Sequence, residues 1–219
     1  AQRGTSLDPS FNNFLLDRFK IVRTGVDELV VTQAQSSTSP DGFANSLKIV
    51  ATTAESSVAD NERVRMHQSI EAQNLQHLQY GTSSAKSLTL SFYVRSNVTG
   101  TYAVSMYGTD ADRIIGSTYT ISAADTWEYK SITFAGDTGS HTIANDNGTG
   151  LKLQWYLMSG ANYTSSNNTS WATQTDANEA YGHTADWGED ANDEWYITGV
   201  QLELGEQATP FEHRSFGDE

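Results

Sequence analysis

Sugars are held by stacking the C–H faces of the ring on aromatic side chains and by planar polar groups that hydrogen-bond pairs of hydroxyls. The chain offers two constellations of that kind. The first consists of Tyr93, Arg95, Gln154 and Tyr156, on two strongly alternating segments. In Ser87 to Ser96, Leu88, Leu90, Phe92 and Val94 face one way and Thr89, Ser91, Tyr93 and Arg95 the other; in Leu151 to Ser159, Leu151, Leu153, Trp155 and Leu157 oppose Lys152, Gln154, Tyr156 and Met158. With the apolar faces taken as core, the polar faces are free to bind, and the two segments are expected side by side in one curved sheet. The competing reading makes Tyr93 and Tyr156 ordinary cross-strand or subunit-contact residues. The second constellation is Tyr163, Trp171 and Trp187, large rings in an otherwise polar stretch from Gly160 to Asp193. They either present a platform to a ligand or anchor a long loop that must bury something to be ordered; Trp171 and Trp187 are the candidates for glycan contact.

Other chemistry finds less support. Asp186, Glu189, Asp190, Asp193 and Glu194 form an acidic cluster, and Asn145 to Gly150 is a turn rich in oxygen donors. Either suits calcium, which takes carboxylate and carbonyl oxygens, but neither has EF-hand spacing, and such clusters are commonly solvated surface. No cofactor is otherwise indicated. His67, His77, His141, His183 and His213 show no paired zinc-ligand spacing. Ser83 to Lys86 matches Ser-x-x-Lys without its companion motifs. Nothing in the sequence selects a carboxylate pair for glycoside cleavage, whose spacing is set by the tertiary structure; the leading expectation is a protein that is not an enzyme.

The elements that must position these residues are strands. Thr, Ser and Gly are abundant, Asn, Tyr and Val recur along the chain, Pro occurs only three times, and long helix-period stretches are absent. The pattern predicts strands at 19–23, 28–33, 46–52, 63–70, 87–96, 101–108, 117–121, 128–135, 151–159 and 194–204, the last slipping by one residue around Gly199 as a bulge would. Short helical turns are expected at 12–17 and at 74–80, where Leu75 and Leu78 stand three apart before Gly81. Without a composition break or internal repeat, residues 1–219 read as one all-β domain, a two-layer antiparallel β-sandwich.

Charge and composition exclude several partners. With 27 acidic and 13 basic residues the formal charge is −14, which repels phosphate backbones, and no basic run offsets it; nucleic acid is not an expected partner. The chain has no cysteine, hence no disulfide or thiolate site. No apolar run approaches the roughly 18 residues of a membrane span, so membrane insertion is not expected. Beginning at Ala1, the chain reads as part of a longer polypeptide.

Several segments together carry a family resemblance. The opening Gln2-Arg-Gly-Thr-Ser6 and Asp17-Arg-Phe19, the block from Gln68 to Gly81, the strand from Lys86 to Ser96, the Trp-bearing stretch Ala124 to Phe134 and the closing Ala208-Thr-Pro-Phe-Glu-His-Arg-Ser-Phe-Gly217 resemble a module of bacteriophage tail fibres and other virion surface proteins, especially of marine phages. Relatives commonly continue beyond the closing motif, whereas this chain stops at Glu219. The resemblance implies a jelly roll similar to carbohydrate-binding modules, a location on the virion surface in a tail fibre or a capsid fibre or decoration, homotrimer assembly with other virion proteins, and contact with host surface polysaccharide. Its rivals are a purely structural decoration or fibre-joining domain, an accessory carbohydrate-binding module of a secreted glycosidase, and, least favoured, a depolymerase.

Overall fold

The computed structural model describes residues 6–7 and 18–213. Twelve strands follow in chain order: β1 (Ser6–Leu7), β2 (Phe19–Thr24), β3 (Val30–Ser36), β4 (Ser46–Thr53), β5 (Arg63–Glu71), β6 (Leu88–Ser96), β7 (Gly100–Gly108), β8 (Arg113–Ile121), β9 (Glu128–Phe134), β10 (Thr149–Ser159), β11 (Ala172–Thr173) and β12 (Glu194–Leu204). The ten expected strands are all present, with ends shifted by a few residues. The two-residue strands β1 and β11 are too short to leave a periodic trace in the sequence. The expected turn at 12–17 lies outside the described residues.

The strands form two six-stranded sheets, β1-β3-β4-β12-β6-β9 and β11-β8-β7-β10-β5-β2, and every pairing is antiparallel. This is the all-β, two-layer antiparallel sandwich expected from the alternation, and its crossed strand order is of the jelly-roll kind that the family resemblance implied. Leu90, Phe92 and Val94 of β6 meet Leu153, Trp155 and Leu157 of β10 in one core, with the Tyr102 and Tyr119 rings stacked at 5.6 Å beside them. Full burial of such side chains contributes roughly 1.5–3 kcal/mol each.

One expectation fails here. β6 and β10 do not share a sheet; they face each other across the core. Alternation records which side of a strand is apolar but not which sheet the strand joins, so two strands with identical patterns can be neighbours or opposites.

Between β5 and β6, Ala72–Leu78 forms a 3-10 helix that buries Ala72, Leu75 and Leu78. It stops where Gln79 and Gly81 enter the left-handed region, at φ 55° and 81°. Gly81 is required there, because a Cβ would stand 2.6 Å from the His141 carbonyl oxygen. The bulge in β12 also forms: the register to β6 jumps between Thr198 and Gln201, with Gly199 at φ 59°.

Candidate functional site

The outer face of the second sheet carries a built cleft. On β10, Lys152 lies opposite Tyr107 of β7 and Ser69 of β5, Gln154 opposite Ser105 and His67, and Tyr156 opposite Arg65. Period-2 alternation therefore brings Arg65, Tyr107, Lys152 and Gln154 to the side away from Trp155. The segment 160–193 covers part of this face. Tyr163 and Ala180 pack with Tyr156 and Ala103 as a second small apolar cluster. The segment is held in shape by buried asparagines: Asn168 donates to the Asn178 carbonyl at 2.6 Å, and Asn178 donates to the Thr173 carbonyl and accepts from the Thr175 N–H, both at 2.9 Å. With its backbone polar groups satisfied in this way, an irregular segment can lie on a sheet.

Those bonds position Gln174, Asp176 and Glu179 as the second wall. With Arg65, Tyr107, Lys152 and Gln154 they enclose a cleft of about 250 Å3. Glu179 is buried, and its Oε2 accepts from both Arg63 and Arg65, the latter at 2.6 Å, while Oε1 accepts from Gln174 Nε2 at 2.7 Å. The Arg63 guanidinium lies over the Tyr163 ring, 4.3 Å from its centroid. Burial, and then Arg65, lower the pKa of Arg63. Burial likewise lowers that of Lys152, helped by Arg65 and Lys20. The Lys152 ammonium sits 5.7 Å from the Tyr107 ring centroid, within cation–π range. Gln154 Nε2 donates to Ser105 Oγ and Tyr156 Oη, both at 3.2 Å.

The structure separates the six residues singled out in the sequence. Only Gln154 lines this cleft. Tyr156 lies beside it but is 0 % exposed beneath the covering segment, so its ring offers no stacking face. Trp187, also 0 % exposed, belongs to the main core. Trp171 sits apart from the cleft, donating from Nε1 to the Ala135 carbonyl at 2.7 Å with its ring against Tyr80 and His141. Anchoring is what these last two rings do here.

Tyr93 and Arg95 occupy the outer face of the first sheet. Tyr93 is one rung of an aromatic ladder, with Tyr129 at 5.1 Å on one side and Phe43 at 5.4 Å on the other. Phe43 in turn meets Phe211 and His213 of the segment after β12, at 5.0 and 5.2 Å. That segment is tied down by Glu203, which accepts from the Thr209 N–H at 2.9 Å, and by Gln201, which accepts from the Glu212 N–H at 3.0 Å. Arg95 pairs with Asp125 at 2.7 Å and lies 4.8 Å from the centroid of Tyr196, whose hydroxyl donates to Glu194. The sequence reading missed Arg65, Tyr107, Lys152, Gln174, Asp176 and Glu179 as site residues. Arg65 was accessible to it, because Val64 and Met66 flank it with apolar alternation.

Neither stretch considered for calcium forms a cluster of three carboxylates among the described residues. Asp193 instead accepts backbone N–H groups of Gly188 and Asp190, and Glu194 pairs with Lys48. Asp27, Glu55 and Glu62 do bring one carboxylate oxygen each within 4.8 Å of one another, an oxygen set of the kind hard cations take. Two of these carboxylates already bind backbone: Glu55 accepts from Glu28 and Leu29, and Glu62 from Ala59.

No family and no curated protein matches the chain in sequence. Among solved structures it is similar to the enzymatically active domain of tailspike protein 4 of bacteriophage CBA120, at 10% identity and a TM-score of 0.46, over 91% of this chain and 21% of that one. It is also similar to the family 11 carbohydrate-binding module of Clostridium thermocellum solved with a mixed-linked tetrasaccharide, at 12% identity and a TM-score of 0.43, over 92% and 94%. A third is a sugar-binding protein, so described provisionally, from Bacteroides thetaiotaomicron, at 11% and 0.45, over 84% and 87%. The chain thus spans about a fifth of the tailspike chain and most of the other two. The likeness is one of fold alone, a β-sandwich.

Proposed function

We propose that this chain is a non-catalytic glycan-binding domain carried on the surface of a phage particle, in a tail fibre or in a fibre or decoration of the capsid. The observation that carries the binding part is the cleft on the second sheet, where a tyrosine ring, two amide side chains and a guanidinium converge beneath a stiffened wall. These are the groups that orient a polyhydroxylated ligand. Gln154 makes no hydrogen bond through Oε1 among the described residues, which leaves a planar acceptor in the cleft. The non-catalytic part is supported by Glu179, whose two oxygens are already committed to Arg63, Arg65 and Gln174. A glycosidase needs two carboxyl groups free to act on the scissile bond. The virion location is supported by the sequence resemblance to phage fibre modules. A homotrimer joined to other virion proteins fits the same resemblance and would multiply weak single-site binding into avidity.

Two experiments test this reading. Purified protein titrated with host surface polysaccharide by calorimetry should show binding that Tyr107→Ala or Gln154→Ala removes while the melting temperature is kept, and no release of reducing ends. Absence of binding to any host glycan would favour the purely structural role. Antibody labelling of parent virions should decorate the tail periphery or the head; unlabelled particles would overturn the phage assignment.

A further inference from the structure

The cleft is less acidic than the chain as a whole: its lining sets Arg65 and Lys152 against Asp176 and Glu179, with Arg63 behind Glu179. The whole protein carries −14, yet the face that holds the cleft gathers Arg63, Arg65 and Lys152 on adjoining strands. Glu179 answers the two arginines through a single oxygen. Lys152 forms no ion pair with any carboxylate among the described residues, although Asp176 and Glu179 line the same cleft. Half-buried, it is fixed by its contact with Tyr107. The Nε of Arg65 is buried and has no hydrogen-bond partner among the described residues. Burial first, and then the neighbouring Arg65 and Lys20, lower the pKa of Lys152, and a counter-charge would relieve both.

We infer that the sugar taken by this cleft is anionic, bearing a carboxylate or a sulfate that accepts charge-assisted hydrogen bonds from Lys152 and Arg65. This rests on the glycan-binding reading above and narrows it to acidic polysaccharides. Lys152 supplies a point charge and Arg65 a planar donor fork, the pair of groups that bind anions most strongly. Gln154 and Gln174 are left for neutral hydroxyls. The inference also reconciles an acidic protein with an acidic polymer: long-range repulsion is screened beyond about 8–10 Å at physiological salt, whereas the cleft acts at contact.

The test is titration calorimetry of the intact chain, starting at physiological ionic strength, with three probes: oligouronates, the same oligomers after carboxyl reduction, and a galactan made anionic only by sulfation. The expected result is binding of an oligouronate or of the sulfated probe. For an oligouronate, affinity should fall at least tenfold on carboxyl reduction. For either probe, it should fall at least tenfold in Lys152→Gln, be restored by Lys152→Arg, and weaken as salt is raised. Unchanged melting temperatures exclude misfolding, and the salt dependence of the wild-type protein tests the same point without any variant. Binding of the sulfated probe alone assigns sulfate as the anion. Binding of the reduced, neutral oligomers that is indifferent to Lys152→Gln but lost in Gln154→Ala overturns the anionic inference and leaves the glycan reading standing. Binding of none of the three probes, with host glycan still bound, overturns this inference alone; loss of all glycan binding overturns both.

Discussion

Phe92 of β6 and Trp155 of β10 meet edge to face across the core, ring centroids 5.9 Å apart and planes at 89°. This contact joins the two sheets, and it sends the polar faces of the same strands to opposite sides of the molecule. Tyr93 and Gln154, each one residue away from these rings, therefore cannot serve one ligand.

Truncating either ring should be costly. Both are 0 % exposed, so Phe92→Ala and Trp155→Ala are each expected to lose about 3–5 kcal/mol through lost burial and the cavity left behind. Urea denaturation at constant m-value would measure it; a loss below about 1 kcal/mol would contradict the packing described.

The covering segment should depend on Glu179. Its removal strands Arg63, buried beside Tyr163, and breaking a buried ion pair from one side costs about 3–5 kcal/mol. Glu179→Ala should lower stability by that order and raise amide exchange across 160–180, whereas Glu179→Gln should retain more of both. Equal exchange in wild type and Glu179→Ala would show that the segment is held by other contacts.

The bulge glycine should resist replacement. At φ 59°, a Cβ on Gly199 would lie 2.7 Å from the Phe43 ring, adding a steric clash to a left-handed backbone that costs about 1–2 kcal/mol for other residues. Gly199→Ala is expected to melt earlier and to loosen Phe211 and His213 from Phe43. Amide exchange at Phe211 and His213 faster than in wild type would report the second effect.

Stability should fall on acidification from pH 6.5 to about 4. Burial lowers both His67 and His183 from an ordinary 6.5 to about 4, with Arg65, Lys152 and Lys20 adding to the effect at His67. The folded pKa lies below the unfolded one, so in that window the unfolded chain binds more protons and acid favours unfolding. Below it Asp137 extends the loss. Burial raises its pKa, but Arg113, Gly139 and His141 outweigh burial and hold it under 3.8, and its stabilisation is lost as pH falls through that depressed value. Asp193, raised above 3.8 by burial, partly offsets the trend. Thermal unfolding from pH 7 to 4 should show the decline, and His67→Gln should flatten it; a flat wild-type profile would contradict the burial of the two histidines.

Much of this architecture was legible in the residues. Alternation at Leu88 to Val94 and Leu151 to Leu157 announces half-buried strands because side chains in a strand point to alternate sides, and the slip at Gly199 and the Leu75–Leu78 spacing announce a bulge and a helical turn for equally local reasons. Those features depend on neighbours a few residues apart. The binding cleft does not. Arg65, Tyr107, Lys152 and Glu179 are separated by up to 114 residues, and they converge only because β5, β10 and β7 pair in that order and the 160–193 segment folds back over them. The same long-range packing decided that Trp187 and Tyr156 would be sealed in and that Tyr93 would lie in an aromatic ladder with Phe43, which the closing segment contacts. Local periodicity determined which side of each strand is apolar; only the tertiary structure decided which polar sides would meet.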